Sequence, residues 1–322
     1  MKHIAILCGG FSSEFEISKK SATTILTNFP DGYFPFLVEV TKKSWTALIS
    51  EQRIAYNPWE QSYEFQGQER KVDAVIIYIH GNPGENGKIQ AMLEMQEIPY
   101  INSGSLASEL SFDKWYCNQF LKGFDIPVAK SLLVLSADDY STEEIINTLG
   151  LPCFVKPSDS GSSYGISKVN HTEELQPALA KAFAEGKTVV IEAFLKGTEV
   201  TCGAYNTLEG IKTLPITEIV SENDFFDFEA KYHGKSEEII PARISDIEIQ
   251  RINELTVKIY KLLKIRSIAR IDFMLVNNIP HVIEVNTTPG FSEASIVPRM
   301  LAHQGKSIKE FWEEILDLEL VK

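Results

Sequence analysis

The first hundred residues alternate short apolar runs with stretches of helical spacing. The apolar runs are 4–7, 72–79 and 98–101, and the helical stretches lie near 18–27 and 88–97. Strands that alternate with helices indicate a parallel α/β sheet, and ligands of such sheets bind at the carboxyl ends of the strands. Two glycine-containing loops, 9–14 and 80–87, follow strands at this edge, although glycine also simply makes tight turns.

From residue 105 the pattern changes to longer helices and isolated strands. A helix is predicted over 106–124, and Ile126-Pro-Val128 begins a new unit. Further strands are predicted at 132–135, 154–155, 189–192 and 200–204, with helices near 142–149, 172–184, 246–263 and 307–319. Residues 220–235 are polar and aromatic without periodicity, which fits a mobile loop or a plain surface loop equally well.

A segment near the carboxyl end predicts a β-hairpin with acids on its polar face. Two apolar, strand-like arms flank Asn277-Asn278, which is a turn signal. Because side chains alternate along a strand, Asp272 shares a face with Arg270, and Glu284 shares one with Asn286. The opposite faces carry Ile271, Phe273, Leu275, Ile283 and Val285. If these apolar residues enter one core, the oxygen-bearing side chains cluster on the other side, as ligands that suit Mg²⁺.

This clustering depends on the length of the turn. A two-residue turn at Asn277-Asn278 pairs position 272 with 283 and puts the two acids on opposite faces. Glu284 reaches the face of Asp272 only with an odd loop, such as 277–279, or with a bulge. The apolar alternation favours the odd loop, because all five apolar residues then align. The alternative is an ordinary surface hairpin whose polar face is merely solvated.

Two further strand ends carry groups suited to a nucleotide. Lys156 precedes a Gly/Ser loop whose N–H groups and hydroxyls could bind phosphate, although the loop taken alone is better explained as a flexible hairpin connection. It is not a Walker A loop, because no Gly-Lys-Ser/Thr follows its glycines. Backbone groups of 192–195 could bind an adenine and Glu199 could bind ribose hydroxyls, or both acids could be solvated strand ends.

Composition describes an ordinary globular protein of two or three domains. The chain has 322 residues, which is too long for one typical core. Its content of 44% hydrophobic and 10% aromatic residues is typical of a globular protein. Its formal net charge of −13 argues against a nucleic-acid or anionic-membrane surface, so positive contacts to a phosphate ligand must be local. We expect a cytoplasmic location, because no apolar run reaches membrane-span length and the first ten residues do not resemble a signal peptide. The four scattered cysteines favour buried thiols.

Eight segments, in chain order, resemble the D-alanine–D-alanine ligase family of ATP-grasp enzymes over nearly the whole length. No single segment is decisive, but eight in register are highly specific. They are Gly9–Ser18, His80–Gly87, Ser111–Lys114, Lys156-Pro157 with Gly161–Ser163, Glu229–Tyr232, Arg270–Asp272, Glu284–Gly290 and Ser295–Pro298. The resemblance implies an α/β protein with a Rossmann-like N-terminal domain, 1–104, followed by a two-subdomain ATP-grasp fold, 105–206 and 207–322.

The resemblance also implies which residues bind ATP and metal. Those that would contact the phosphates are Lys114, Lys156, Ser163 and, from the 220–235 loop, Lys231. Those that would hold the adenine are Glu192, Ala193, Phe194 and Leu195, with Glu199 at the ribose. Asp272 and Glu284 would bind one Mg²⁺, and Glu284 with Asn286 would bind a second, with Mn²⁺ as an alternative ion.

The substrate groups implied by the resemblance form three sets. Glu14, hydrogen-bonded with Ser162 and Tyr232, would bind the first D-alanine, and His80 would lie nearby. Ser295 and Ile296 would hold the second D-alanine. Arg270 and the Gly290 N–H would stabilise the oxyanion. His80 could instead only brace a turn, and Ser162 could only cap its loop.

The implied reaction is ATP-dependent ligation of two D-alanines through an acyl phosphate, for peptidoglycan precursor synthesis. The alternatives are a related ligase with D-serine, D-lactate or an L-amino acid as acceptor, and a nucleotide-binding regulator without catalysis. The complete set of metal, phosphate and oxyanion groups argues against the regulator. A homodimer is expected from the resemblance alone.

Three positions depart from the usual family pattern. Ser160 stands where members often have Glu, Asn86 where they often have Asp, and Ala91 where they often have Gly. The order of the phosphate loop around Ser160 therefore stays open. Tyr232, where Phe is the alternative, is the family's usual mark of dipeptide rather than D-lactate ester synthesis.

Overall fold

Three β-sheets follow one another along the chain, with helices packed on their faces. The computed structural model describes residues 1–137, 140–161, 164–221 and 236–320. Within these ranges, every helix is too short or too polar to cross a lipid bilayer.

The first sheet has eight strands, and only half of it is parallel. Its strands are β1 (Lys2–Gly9), β2 (Tyr33–Val40), β3 (Trp45–Ile49), β4 (Gln52–Asn57), β5 (Ser62–Phe65), β6 (Gln68–Lys71), β7 (Ala74–Ile77) and β8 (Tyr100–Ile101), in the order β6-β5-β4-β3-β2-β1-β7-β8. Strands β2, β1, β7 and β8 are parallel, and α1 (Phe15–Thr27) and α2 (Lys88–Met95) connect them in pairs. This part of the sheet confirms the predicted parallel arrangement.

The other half of the first sheet is an antiparallel meander that the sequence prediction did not contain. Strands β2 to β6 pair with their sequence neighbours. Strand β6 is exposed along its whole length and β4 buries only Tyr56, so no apolar run marks either strand. The sequence analysis therefore missed the strands of this half.

Two helices, not one, connect the first sheet to the second. The predicted helix 106–124 is divided into α3 (Ser105–Phe112) and α4 (Lys114–Lys122). Asp113 separates them because its backbone is extended and its carboxylate accepts a hydrogen bond from the Tyr116 N–H at 3.2 Å, which is an N-cap. The Ser158 hydroxyl donates to the same carboxylate at 2.5 Å. The cap thus ties the start of α4 to the loop that follows Pro157.

The second sheet is small and wholly antiparallel. Its strands are β9 (Ser131–Val134), β10 (Cys153–Pro157), β11 (Ser167–Val169) and β12 (Val189–Ala193), in the order β11-β10-β12-β9. Helices α5 (Thr142–Leu149) and α6 (Leu175–Phe183) pack against this sheet, and buried residues of both helices share an apolar core with its strands. The connection from β10 to β11 is the Gly/Ser loop that the sequence singled out.

The third sheet carries the predicted hairpin. Its strands are β13 (Thr198–Thr207), β14 (Gly210–Thr213), β15 (Thr217–Ser221), β16 (Ser236–Ile239), β17 (Ile268–Val276) and β18 (Ile279–Asn286), in the order β16-β15-β13-β17-β18 with β14 paired to β13. The predicted helix near 246–263 is α7 (Asp246–Leu262), whose start is fixed by a capping box between Ser245 and Glu248.

Two final helices hold the segment after β18 against the first sheet. They are α8 (Ile296–His303), which the sequence prediction missed, and α9 (Ile308–Leu320), which it placed correctly. Trp312 of α9 packs edge-on against Tyr78 and Phe291, with ring centroids 6.1 and 5.4 Å away. The Tyr78 hydroxyl also donates to the Pro289 carbonyl at 2.8 Å. The ends of the first and third sheets are thereby held together.

The four cysteines are buried free thiols, as predicted. Burial raises the pKa of Cys8, Cys117 and Cys202 to about 12, so these thiols stay protonated and unreactive at neutral pH.

Candidate active site

A β-bulge aligns the acids of the hairpin formed by β17 and β18. Asn277 and Asn278 make a two-residue turn with φ of 49° and 64°, a conformation that asparagine tolerates well. That turn alone would put the two acids on opposite faces. At Asp272 the register shifts by one residue, so that Asp272 lies directly opposite Glu284. The predicted odd-length loop was therefore wrong, and the bulge that stood as its alternative is correct.

The bulge also changes which residues enter the core. Val282 lies opposite Phe273 and is buried, as is Val285, whereas Ile283 is only partly buried. Ile283 is the extra residue of the bulge, and Val282 takes the core position that the sequence analysis gave to Ile283. Both apolar faces still meet one core, but through a different set of side chains.

Asp272 gathers the polar side chains of the hairpin. Its buried carboxylate accepts two hydrogen bonds from the Arg270 guanidinium, both at 2.8 Å, and one from the Asn286 amide at 3.1 Å. The Thr201 hydroxyl, on the neighbouring strand β13, donates to the same carboxylate. With Glu284 across the ladder, the three predicted metal ligands converge on one face.

These side chains form a partial ligand set for a hard cation. Asp272, Glu284 and Asn286 offer only oxygen ligands once the Asn286 amide nitrogen has donated to Asp272. The described part of the chain holds no cluster of three or more His, Cys, Asp or Glu side chains able to bind a metal by itself. Mg²⁺ is commonly held by one or two carboxylates together with phosphate oxygens and water. The hairpin therefore fits an ion that binds jointly with a polyphosphate.

The polar face opens into a cavity of about 350 Å³ where loops of all three sheets meet. The predicted site residues that line this cavity are Glu14, His80, Lys114, Arg270, Glu284, Asn286, Gly290, Ser295 and Ile296. Asp272 lies directly behind the wall, held by Arg270. Residues that are widely separated in the sequence are thus brought into one concave site.

Two glycines allow the chain to close around the carboxylate of Glu14. A Cβ atom at Gly161 would lie 2.5 Å from Glu14 Oε2, and one at Gly81 would lie 2.9 Å from the same atom. Both distances are shorter than any ordinary contact, so a larger residue at either position would displace the carboxylate. Glu14, which precedes α1, is 7% exposed and is therefore fixed between the loops that follow β7 and β10.

Lys114 joins the phosphate loop to the hairpin. Lys114 is the first residue of α4. Its ammonium donates to the Ser160 carbonyl at 2.6 Å and lies 3.7 Å from a carboxylate oxygen of Glu284. An ammonium between the Gly/Ser loop and Glu284, one of the predicted metal ligands, is well placed to bind a phosphate group. A lysine ammonium neutralises phosphate charge without requiring one fixed hydrogen-bond geometry.

Burial controls the charge of two further groups in the cavity wall. His80 Nε2 lies 3.1 Å from the Ser21 hydroxyl, and burial lowers the pKa of His80, so its imidazole is neutral near pH 7. Glu85 accepts a hydrogen bond from the Gly81 N–H at 2.7 Å. Burial, reinforced by the negative charge of Glu14, raises the pKa of Glu85 to about 8. Glu85 is consequently a neutral carboxylic acid at physiological pH.

Two of the residues predicted for the nucleotide, Lys156 and Glu192, lie on the second sheet, outside the lining of the cavity. The Lys156 ammonium on β10 pairs with Glu192 on β12 at 2.6 Å, and the Asn118 amide donates to Glu192 at 3.2 Å. Asn118 lies one helical turn after Lys114, so α4 connects the ion pair to the cavity.

The residues predicted to hold the adenine, 192–195, have aromatic, cationic and backbone neighbours. The Phe194 ring lies 6.0 Å from that of Phe154 and beneath the Lys168 ammonium at 5.1 Å. The Ala193 N–H already donates to the Lys130 carbonyl at 2.9 Å, so this group cannot bind a base without giving up that bond. Leu195 and Glu199 stand on either side of the turn into β13, a few residues further on. Ser162, Ser163, Lys231 and Tyr232 lie outside the described residues, as does most of the 220–235 loop.

Two family models together match most of the chain. Residues 3–103 match the D-ala D-ala ligase N-terminus, and residues 120–317 match the D-ala D-ala ligase C-terminus. The chain belongs to the D-alanine–D-alanine ligase family.

Members of this ligase family match the chain from end to end. It is 40% identical over 317 residues to the D-alanine–D-alanine ligase of Phocaeicola vulgatus, and the match covers 98% of both chains. The VanG D-Ala:D-Ser ligase of Enterococcus faecalis superimposes with a TM-score of 0.87 at 29% identity, over 99% of both chains. The Bacillus anthracis D-alanine–D-alanine ligase complexed with ATP gives 0.80 at 26%, over 100% of this chain and 98% of that one. The predicted Rossmann-like and ATP-grasp architecture is thus confirmed.

Several residues of this ligase site were not found from the sequence. Glu85 lies in a glycine-rich loop after a buried strand, which was a usable signal, because an acid there faces the ligand edge of the sheet. Lys20, Thr201 and Asn118 carried no local signal. Their roles depend on contacts across elements that are far apart in the sequence.

Proposed function

We propose that this ligase-family chain joins two molecules of D-alanine into D-alanyl-D-alanine, driven by ATP and with release of ADP and phosphate, for peptidoglycan precursor synthesis. The observation that carries the proposal is the convergence of Glu14, Arg270 and Glu284 on one cavity, with Asp272 directly opposite Glu284 in the hairpin. The activity named for the Phocaeicola vulgatus relative supports it.

ATP would bind between the second and third sheets. The residues proposed to hold its phosphates are Lys114, Lys156, Ser163 and Lys231, and those proposed for adenine and ribose are Glu192, Ala193, Phe194, Leu195 and Glu199. The ion pair between Lys156 and Glu192 is buried, with both side chains less than a tenth exposed. A phosphate arriving at Lys156 would compete with Glu192 for the ammonium, so we expect this pair to loosen when nucleotide binds.

Two Mg²⁺ ions, or Mn²⁺ in their place, would be held by Asp272, Glu284 and Asn286 together with phosphate oxygens. Each oxygen of Asp272 already accepts two hydrogen bonds, from Arg270 and Thr201 at one and from Arg270 and Asn286 at the other, so the ion would have to displace at least one of these donors. When bound, such an ion supplies charge neutralisation at the phosphates and an in-line orientation of the γ-phosphoryl group.

In the first step, a carboxylate oxygen of the first D-alanine attacks the γ-phosphorus of ATP, the bond to the β–γ bridging oxygen breaks, and ADP leaves. Glu14 would bind the ammonium of this D-alanine, together with Ser162 and Tyr232. The tight approach of Gly161 fixes the position of the Glu14 carboxylate. His80 is neutral, so it adds no positive charge that would repel the ammonium.

In the second step, the amine of the second D-alanine attacks the acyl phosphate carbonyl, loses a proton, and displaces phosphate as the C–O bond breaks. Arg270 and the Gly290 N–H would stabilise the oxyanion, a role in which losing one donor typically costs about 3 kcal/mol. Ser295 and Ile296 would hold the acceptor. The cavity must exclude water at this stage, because an acyl phosphate hydrolyses.

The test is a panel of acceptors. The purified chain, ATP and Mg²⁺ are incubated with single amino and hydroxy acids, and phosphate release and product mass are measured. We expect D-alanine to give the fastest turnover and a dipeptide product. A strong preference for another acceptor would overturn the proposal, and Glu14→Gln should raise the KM for D-alanine without removing ATP binding.

One second candidate has a specific observation behind it. The close structural match to a D-Ala:D-Ser ligase favours D-serine as the alternative acceptor, and the same panel separates the two. ATP binding without turnover on any acceptor would instead support a non-catalytic regulator.

We further propose that the chain acts as a cytoplasmic homodimer with three domains. The first boundary stays near 104. The second is best placed before β13 rather than at 206, because Thr198–Thr207 pairs throughout with the third sheet. Light scattering coupled to size-exclusion chromatography tests the dimer, and a monomeric mass at micromolar concentration would contradict it.

A further inference from the structure

One carboxylate of the cavity wall takes no part in the reaction as proposed. Four glutamates line the cavity, namely Glu14, Glu85, Glu238 and Glu284. Glu14 would bind the first D-alanine, Glu284 is a proposed metal ligand, and Glu85 is a neutral acid near pH 7. Glu238, on strand β16, is thus a charged group of the wall that this reaction leaves unused.

Glu238 is tied to helix α8, whose start is proposed to hold the acceptor. The Arg299 guanidinium donates to Glu238 Oε2 and, at 2.9 Å, to the Glu238 carbonyl. Arg299 lies one turn after Ser295, which lines the cavity together with Ile296. These contacts fix the Glu238 side chain, which is 16% exposed, beside the residues proposed for the second D-alanine.

One oxygen of this carboxylate is available to a ligand. Arg299 engages Oε2, and no residue within the described ranges donates to Oε1. Burial raises the pKa of Glu238, while the positive charges of Arg299 and Arg270 oppose this rise. A carboxylate with a raised pKa is a better proton acceptor, and the influence of Arg270 places this one near the proposed oxyanion site.

The second step of the proposed reaction requires a proton acceptor. Near pH 7 an amino acid carries its amine as an ammonium ion, which has no lone pair with which to attack a carbonyl. Formation of the peptide bond removes two protons from this nitrogen, one before the attack and one as the tetrahedral intermediate collapses. The departing phosphate can take the second proton, but the first needs a base that is present before the C–O bond breaks.

The other titratable groups of the wall are poorly suited to this task. His80 Nε2 lies 3.1 Å from the Ser21 hydroxyl, and the imidazole also forms a hydrogen bond with the backbone of Thr288. Burial lowers the pKa of His80, which makes it a weaker base. Glu14 would already bind the ammonium of the first D-alanine, and Glu85 already carries a proton.

We propose that Glu238 is the base that takes a proton from the ammonium of the acceptor amino acid. This inference rests on the proposed function and adds a catalytic residue to its second step. Oε1 accepts the proton, the N–H bond electrons stay on nitrogen, and the neutral amine attacks the acyl carbon. The C–O bond to phosphate then breaks, the phosphate takes the second proton, and Glu238 returns the first to solvent. Arg299 holds the carboxylate in place.

A competition between two nucleophiles isolates this step. Hydroxylamine also attacks an acyl phosphate, but it is already neutral near pH 7 and needs no base. The enzyme receives ATP, Mg²⁺, hydroxylamine and D-alanine raised to saturation, and the ratio of D-Ala-D-Ala to D-alanine hydroxamate is measured by mass spectrometry. In Glu238→Gln we expect this ratio to fall about a hundredfold, the usual contribution of a general base, and in Glu238→Asp to fall less. Glutamine still accepts hydrogen bonds from Arg299 but takes no proton.

The matched control is Glu237→Gln, which makes the same charge change one residue away. Glu237 is exposed and is not part of the cavity wall, so its variant should keep the wild-type product ratio. An unchanged ratio in Glu238→Gln overturns the inference, even if total turnover falls, because a structural role lowers both products equally. A ratio that returns to the wild-type value at saturating D-alanine would assign only acceptor binding to Glu238 and would also overturn it. Absence of any dipeptide from the wild-type enzyme would instead overturn the proposed function.

Discussion

Replacing Glu85 with glutamine should stabilise the protein in alkaline solution and change little near pH 5. The carboxyl group of Glu85 is buried in the cavity wall, and burial together with the charge of Glu14 raises its pKa to about 8 from an ordinary value of 4.5. The glutamine side chain has the same shape. Its carbonyl oxygen can still accept the hydrogen bond from the Gly81 N–H.

The sign follows from proton binding. Between the two pKa values the folded protein holds a proton that the unfolded chain has released, so the free energy of unfolding falls as pH rises. The fall begins near pH 4.5 and levels off above about pH 8, the folded-state pKa. Because one pKa unit corresponds to about 1.36 kcal/mol, the total loss is at most about 5 kcal/mol. Glutamine cannot ionise, so the Glu85→Gln variant escapes this loss.

The assay is urea unfolding of the wild type, Glu85→Gln and Glu109→Gln at pH 5.5 and pH 9. Glu109 is exposed on α3, so its variant controls for the change in net charge. We expect the wild type to lose about 3 kcal/mol more than Glu85→Gln between the two pH values. If the wild type and Glu85→Gln show the same pH dependence, the assignment of a neutral Glu85 is refuted.

Three further predictions test the site. Gly161→Ala places a Cβ atom 2.5 Å from Glu14 Oε2 and should lower kcat/KM for D-alanine at least tenfold. The control is Gly104→Ala, where the nearest atom to the new Cβ is 3.5 Å away, and it should change kcat/KM less than twofold. Asp113→Ala removes the cap of α4, whose first residue is Lys114, and should lower the free energy of unfolding in urea by about 1 kcal/mol. It should also raise the KM for ATP, because the Lys114 ammonium loses its fixed position; an unchanged KM would show that the cap does not position Lys114. Chelation of divalent ions should abolish phosphate release, and Glu284→Gln should raise the Mg²⁺ concentration for half-maximal rate about tenfold; turnover with chelator present would contradict the ligand set.

The sequence predicted the long helices well, but it missed strand β2, although five of its eight residues are buried. The helix near 246–263 was found almost to the residue, and in the structure its start coincides with a capping box between Ser245 and Glu248. The meander from β3 to β6 was missed because its outer strands bury few side chains. Helix α8 was missed because eight residues that begin after Ser295 and include Pro298 present too short a pattern.

The site was predictable as a set of residues but not as a set of contacts. The pairing of Lys156 with Glu192 joins two strands more than thirty residues apart, and the Lys114–Glu284 contact joins helix α4 to the third sheet. The sequence contains the residues but not the distances between them. The division of the helix at Asp113 shows the same limit, since its second partner, Ser158, belongs to another loop.

The hairpin formed by β17 and β18 contains a sequence signal from which its contacts could have been predicted. The Asn277-Asn278 pair favours a two-residue turn, because asparagine adopts positive φ readily, whereas the face alternation of the acids requires an odd count. A regular ladder satisfies only one of these signals. Adjacent apolar residues at 282 and 283 let the strand change register without losing its core contact, and a bulge satisfies both. A conflict between turn chemistry and alternation, beside two adjacent apolar residues, is therefore itself a sequence signal for a bulge.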